Sequence, residues 1–208
     1  MAFGSRPSRS ASSTGAGRDG GRAPGRDSLP SPPADPVEAA RQICLNQLDH
    51  APRTRAELAA VLRRKGVEDD VADRVLERFA EVGLIDDASF AQQWVVSRHR
   101  GKGLARRALT HELRRKGVAD EAVAEALDGL DPELERATAR SLVDRKLRTT
   151  TGLATQVRVR RLTGMLARKG YPAGTAFQIV REALAAEAEQ VGRDVDDGIF
   201  DEMPDPTS

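Results

Sequence analysis

The chain of 208 residues contains a single cysteine, Cys44, and only three histidines. One cysteine excludes an intrachain disulfide and suits a reducing compartment, so we expect a cytoplasmic protein. His50, His99 and His111 all stand more than five residues from one another and from the cysteine, which is wider than the spacing of a zinc-binding pair. We therefore predict solvated histidines on helix surfaces, with no metal site and no cofactor.

Catalytic motifs and membrane-spanning runs are also missing from the sequence. Gly101-Lys102-Gly103 has neither the earlier glycine nor the following Ser or Thr that a phosphate-binding P-loop requires. Asp86-Asp87 follow Gly83 where a helix is predicted to begin, so helix capping explains them better than a metal pair. No apolar run approaches the roughly 18 residues that span a bilayer. The sequence predicts a soluble protein that is not an enzyme and has no membrane partner.

Aromatic residues are scarce, with five Phe, one Trp and one Tyr in the whole chain. Most of those in the middle of the chain stand at the spacing of a helix core. Base stacking on aromatic side chains is therefore a poor basis for nucleic-acid binding. Any contact with nucleic acid is expected to involve the backbone and to weaken with salt.

Both ends of the chain differ from its middle in composition. Residues 1–36 are rich in Gly, Ser, Pro and Arg, so we predict a disordered tail, and no apolar segment follows its arginines as in a secretory signal. Residues 187–208 hold eight acidic residues and one arginine, which predicts an acidic tail that frays beyond Val191. The middle, 37–186, keeps a net charge of +6 although the whole chain is +1. A basic folded part indicates an acidic partner, such as nucleic acid or an acidic protein surface.

Helix signals fill the middle of the chain. Pro36 suits the first position of a helix, Thr54 and Glu57 form a capping box, and Asp131-Pro132 combine a cap with an N1 proline. Apolar residues then recur at helical spacing, and no stretch alternates well enough to predict a strand. The fold class is therefore all-α. The predicted helices are 37–48, 55–65, 69–81, 88–99, 104–116, 120–129, 132–147, 155–169 and one that Pro172 opens.

The helices repeat along the chain. The pattern Leu-x₃-Leu-x-Arg-Lys-Gly begins at Leu58, Leu109 and Leu162, at spacings of 51 and 53 residues. We predict three tandem three-helix repeats of about 50 residues, over 37–86, 87–130 and 131–186. A unit of this size buries little surface by itself, so neighbours are expected to stack into an elongated, curved array.

Two segments of this array are strongly basic. In 98–116, eight Arg and Lys stand against one acid, on a helix that a loop with Gly101 and Gly103 precedes and Gly117 ends. In 140–169, nine cations stand against Asp144 alone. Repeats stacked in parallel would place both segments on one side, as a cationic strip suited to phosphates or carboxylates. The residues predicted to bind a partner are Arg98, Arg100, Lys102, Arg106, Arg107, Arg114, Arg115, Lys116, Arg158, Arg160 and Arg161.

The repeated Lys-Gly ending leaves two interpretations open. A cation in the last turn of a helix favours the negative end of the helix dipole, and glycine closes the helix. The same lysines, Lys65, Lys116 and Lys169, would equally suit contact with a partner.

The chain resembles the RecX family of regulatory proteins over about 38–185, and an ordered set of short motifs carries this resemblance. The set begins with Gly83-Leu84-Ile85-Asp86-Asp87 and the following Phe90-Ala91. It continues with Arg98-x-x-Gly101-x-Gly103-x-x-Arg106, Glu112-Leu113-x-x-Lys116-Gly117 and Leu166-x-x-Lys169-Gly170-Tyr171. Leu104 departs from the pattern, since the family often has proline there. The resemblance implies a structural role for Gly83, Leu84, Ile85, Asp86, Asp87, Phe90, Gly101 and Gly117.

The resemblance also implies a function. Proteins similar to RecX modulate the RecA recombinase by binding the RecA–DNA filament along its groove. They mainly inhibit its ATPase, strand exchange and co-protease activities, which links them to DNA repair, recombination and the SOS response. We accordingly expect a RecA filament as partner, DNA as a further partner through its backbone, and a monomeric protein.

The sequence leaves two alternative functions open. A free-standing DNA-binding regulator would bind duplex DNA tightly without RecA. A passive helical-repeat scaffold would have no effect on RecA and little sensitivity to salt.

Overall fold

The computed structural model describes residues 35–200, with side chains described as far as Val191. The predicted N-terminal tail therefore lies outside the described residues except for Asp35 and Pro36. The last part of the predicted acidic tail, 201–208, also lies outside them.

The described residues form nine α-helices and contain no strand, which confirms the all-α prediction. The helices fall into three successive trios, and in each trio the third helix packs against both of the preceding two. The bounds are α1 Pro36–Leu48, α2 Arg55–Arg64, α3 Asp69–Glu81, α4 Asp87–Lys102, α5 Arg106–Arg115, α6 Asp120–Asp128, α7 Pro132–Leu147, α8 Thr155–Arg168 and α9 Ala173–Phe200.

The caps read from the sequence begin several of these helices. The Asp35 carboxylate accepts a hydrogen bond from the Val37 amide at the start of α1, with Pro36 at the first helical position. At α2 the Thr54 hydroxyl accepts from the Glu57 amide, and the Glu57 carboxylate accepts from the Thr54 amide. These contacts satisfy amides that have no partner within the helix, so they fix where the helices begin.

Each trio has a separate apolar core, and equivalent residues of the repeat occupy equivalent places in it. Leu62, Leu113 and Leu166 are fully buried in the cores of the first, second and third trios. Cys44 is buried in the first core, and this burial raises the pKa of its thiol to about 11. The three tandem repeats are thus three small cores in series.

Two helices extend beyond the predicted ends. Helix α4 runs to Lys102, so Gly101 lies inside its last turn and the predicted loop with two glycines was wrong. Of Gly101 and Gly103, the latter alone takes the left-handed conformation, with a φ of 61°. Helix α9 continues to Phe200, through the first part of the segment predicted as an acidic tail. None of the described helices is long and apolar enough to cross a bilayer.

The first and second trios meet through the N-terminus of α2. The Thr54 hydroxyl donates a hydrogen bond of 2.6 Å to the carbonyl of Lys116, and the Lys116 amine lies 2.7 Å from a Glu57 oxygen. The Arg55 amide donates to a carboxylate oxygen of Asp87 at 2.9 Å. The first helix of the second trio therefore caps the second helix of the first trio.

The second and third trios meet in an equivalent way. The Ala105 amide donates to the carbonyl of Lys169 at 2.9 Å, and the Arg106 amide donates to Glu135 at 2.9 Å. The Tyr171 hydroxyl also donates to the carbonyl of Gly103. This hydroxyl is buried beside the Glu135 carboxylate, and both effects raise its pKa to about 12, with burial the larger.

The Lys-Gly endings of α5 and α8 therefore form the contact between neighbouring repeats, which we call the joint. At Gly170 a Cβ would lie 2.5 Å from the backbone nitrogen of Ala108, and at Gly117 it would overlap the Cβ of Ala56. Gly66 belongs to the first of the three repeats, and a Cβ there would meet nothing within 4 Å among the described residues. The amine of Lys116 contacts Glu57 and that of Lys169 contacts the carbonyl of Lys102, which supports a structural role for both side chains, whereas Lys65 is exposed.

Candidate functional site

Arg98 and Lys116, which were predicted to bind a partner, belong to a half-buried cluster around Trp94. The indole nitrogen donates to Glu112 at 2.9 Å, and the Arg98 guanidinium lies 4.0 Å from the indole ring centre. Arg98 also lies 3.4 Å from Glu112, and the Lys116 amine lies 4.3 Å from the indole ring centre. Phe90 stacks on the indole with ring centres 5.5 Å apart. These contacts hold both cations to the protein itself.

Three other predicted cations also have carboxylate partners within the chain. Arg106 reaches Glu135 and the carbonyl of Leu130, and Arg114 lies 2.7 Å from Asp120. Arg158 lies 2.6 Å from Glu187, and its side chain is only 14% exposed. In an exposed ion pair, such as Arg114 with Asp120, the arginine can easily leave its carboxylate for another partner. The cations of the enclosed pairs cannot.

The remaining predicted cations are exposed and have no carboxylate within 4 Å among the side chains of residues 35–191. These residues are Arg100, Lys102, Arg107, Arg115, Arg160 and Arg161.

The residues of the family motif have distinct structural positions. Gly83 takes a φ of 72° after α3, and Ile85 is buried in the first core. Asp86 caps α4 through the Ser89 amide at 2.8 Å, whereas the neighbouring Asp87 caps the preceding repeat. Leu84 is 48% exposed and so contributes little to a core.

The structure brings part of each basic segment together in one cleft at the joint of the second and third trios. The cleft has a volume of about 630 Å³. Arg100 and Lys102 come to it from the end of α4, Arg145 from the end of α7, and Arg168 and Lys169 from the end of α8. Leu104, Leu142 and Met165 supply its apolar surface, and none of the acidic side chains that the structure describes lines it. We call this the joint cleft.

None of the five cations of the joint cleft has a carboxylate within 4 Å among the side chains of residues 35–191. One of them, Lys169, donates from its amine to the carbonyl of Lys102. The nearby acid Asp144 lies 2.8 Å from Arg140, which does not line the cleft. The joint cleft is therefore strongly cationic.

A buried histidine supports one wall of the joint cleft. His99 is 3% exposed, so the prediction of a solvated histidine was wrong at this position. Its Nδ1 donates to the carbonyl of Leu104 at 2.9 Å, and in the neutral ring its Nε2 accepts from the Thr138 hydroxyl at 3.0 Å. Both partners line the cleft, so His99 links α4, the following turn and α7. His50 and His111 are exposed as predicted.

The residues predicted to bind a partner did not include Arg145 and Arg168, and for Lys169 a structural and a partner-binding role were left open, although all three lie in the second basic segment. The sequence shows the charge of these residues. They lie close to Arg100 and Lys102 only because the second and third trios pack together at the joint. Arg107 lines a different depression beside Glu133 and Arg136. Among the described residues, no group of three or more His, Cys, Asp or Glu could hold a metal ion.

The fold and the joint cleft define a tandem helical-repeat protein with a cationic site between repeats. Three family models match the chain, and each covers one trio. RecX, first three-helix domain, matches residues 40–79, RecX, second three-helix domain, matches 86–127, and RecX, third three-helix domain, matches 133–180. The chain belongs to the RecX family of regulatory proteins.

Curated relatives agree with this assignment. Regulatory protein RecX of Thermobifida fusca is 56% identical over 172 residues, which cover 81% of this chain and 93% of the relative. The protein of the same name from Streptomyces coelicolor is 55% identical over 167 residues, covering 80% and 89%. That of Mycolicibacterium smegmatis is 50% identical over 157 residues, covering 74% and 84%.

Solved structures share the fold. The crystal structure of RecX from Lactobacillus salivarius aligns with a TM-score of 0.66 at 20% identity, covering 72% of this chain and 97% of that one.

Proposed function

We propose that this protein is a non-catalytic regulator that binds the RecA–DNA filament and mainly inhibits its ATPase, strand exchange and co-protease activities. It would thereby act in the regulation of DNA repair, recombination and the SOS response, in the cytoplasm. Family membership supports this proposal, because the relatives carry the name regulatory protein RecX.

The observation that carries the proposal is the set of exposed cations without carboxylate partners in the described part of the chain. A RecA–DNA filament presents phosphates and repeated acidic side chains over a long distance. Free cations on the second and third of the tandem repeats suit such a partner, because each of these repeats can meet an equivalent place on it. The enclosed cations Arg98, Arg106, Lys116 and Arg158 are better explained by the fold itself.

The test is ATP hydrolysis by a purified RecA recombinase on single-stranded DNA, with this protein titrated well below the concentration of recombinase subunits. We expect strong inhibition at this low ratio, because one molecule bound to a filament affects many subunits. Inhibition that requires enough protein to cover the DNA would favour a free-standing DNA-binding regulator instead. Unchanged hydrolysis at every ratio would favour a passive scaffold.

A further inference from the structure

The joint cleft gathers cations from the ends of three helices. Arg100 and Lys102 lie in the last turn of α4, Arg145 in that of α7, and Arg168 in that of α8. A cation at a helix C-terminus is favoured by the dipole of its own helix. The dipole does not explain why three such ends converge on one cleft without a carboxylate among its lining residues. Like charges placed together repel one another, so the arrangement suits a ligand that neutralises them.

We propose that the joint cleft binds the phosphate backbone of a single nucleic-acid strand, and that this binding needs no recombinase. Arg and Lys side chains neutralise phosphates and release the counterions that surround the strand. The proposal goes beyond the proposed function because it assigns a site on this chain for nucleic acid alone.

The lining of the joint cleft favours a backbone over a base. None of the aromatic side chains in the described part of the chain lines it, so these residues offer no surface for base stacking. Its volume of about 630 Å³ is that of a small-ligand pocket, and this suits a short stretch of strand better than a duplex. Leu104, Leu142 and Met165 provide an apolar surface for sugar carbons between the cations.

A nucleic-acid strand also fits the cleft better than an acidic protein does. Every nucleotide of a flexible strand carries a phosphate, so the strand can bring successive charges to the clustered cations. The carboxylates of a folded protein are held at the positions that its own fold imposes. An acidic polypeptide is nevertheless the competing ligand, and the experiment includes it.

The test compares two triple charge reversals by the fluorescence anisotropy of a labelled oligothymidylate of about 20 nucleotides without recombinase. The cleft variant carries Arg100→Glu, Arg145→Glu and Arg168→Glu. The control variant carries Arg63→Glu, Arg64→Glu and Lys65→Glu, at the end of α2, which is also a helix C-terminus but lies outside the joint cleft. Both variants change the net charge equally.

We expect the cleft variant to bind at least about tenfold more weakly than the unchanged protein, and the control variant to stay within about threefold. Each phosphate contact on a single strand contributes about 0.7 to the salt slope, so loss of three contacts should lower the slope by about 2. Polyglutamate of equal charge should compete poorly with the oligonucleotide.

Three outcomes would overturn the proposal: equal loss of affinity in both variants, no binding by the unchanged protein, or competition by polyglutamate as strong as that by unlabelled oligonucleotide. Far-ultraviolet circular dichroism checks that the variants fold. Should the cleft variant not fold, the neutral triple Arg100→Gln, Arg145→Gln and Arg168→Gln is read by the same criteria. Failure of the recombinase assay with intact oligonucleotide binding would count against the proposed function only.

Discussion

Replacing Gly170 with alanine is expected to destabilise the protein by about 2–5 kcal/mol. Gly170 has a φ of 92°, where a side chain is strained, and this part amounts to about 1–2 kcal/mol. A Cβ would also lie 2.5 Å from the nitrogen and 2.7 Å from the Cβ of Ala108, so the two repeats would have to separate. Relieving such an overlap costs a further 1–3 kcal/mol or so. The shift of the urea unfolding midpoint measures the sum.

The matched control is Gly66→Ala. Gly66 occupies the equivalent place in the first repeat with a φ of 78°, but no atom of residues 35–191 lies within 4 Å of where its Cβ would be. It should therefore show the conformational strain alone, about 1–2 kcal/mol. Equal losses at the two glycines would show that Gly170 does not make the joint, and this part of the account would then be wrong.

Leu166→Ala is expected to cost about 2–5 kcal/mol and to open the third repeat selectively. Leu166 is fully buried in a core that is separate from the core of the first trio. In an array of repeats, the loss of one core weakens its own repeat and its neighbour most. Hydrogen exchange should therefore accelerate at the amides of α8 and α9 while those of α2 and α3 remain protected.

Leu62→Ala provides the reciprocal variant, because Leu62 is the equivalent fully buried leucine of the first repeat. It should accelerate exchange in α2 and α3 and leave α8 and α9 protected. If either variant accelerated exchange equally in all the described helices, the three cores would act as one cooperative unit, contrary to what we infer from their separation.

Local signals in the sequence were sufficient for most of the helices. The predicted bounds of α3 match Asp69–Glu81, and the capping box at Thr54 is present with both of its hydrogen bonds. Such caps act within four residues, so a sequence displays them directly. The repeat was also visible in the sequence, because each of the three cores needs its own leucines and the same leucine pattern therefore recurs.

The glycine pair before α5 shows where local signals fail. Gly101 and Gly103 both predicted a loop, but a helix tolerates glycine near its end, and only Gly103 takes a positive φ. His99 was predicted to be solvated because nothing nearby in sequence indicated its contact with Thr138 on α7.

The candidate site depended on contacts between distant residues. Lys116 meets Glu57 across a separation of 59 residues, and Arg106 meets Glu135 across 29. Charge alone could not separate cations used by the fold from exposed ones. The two basic segments could therefore be predicted from the sequence, but the proximity of Arg100 to Arg145 and Arg168 could not.

The most direct measurement is the inhibition of RecA ATP hydrolysis on single-stranded DNA by the two triple charge reversals, at the low ratio where the unchanged protein inhibits. The account predicts that the variant of Arg100, Arg145 and Arg168 inhibits at least about tenfold less, while the variant of Arg63, Arg64 and Lys65 inhibits as the unchanged protein does. The central claim is that the free cations at the joint of two repeats bind this protein to the filament. Full inhibition by the folded variant of Arg100, Arg145 and Arg168 would contradict it.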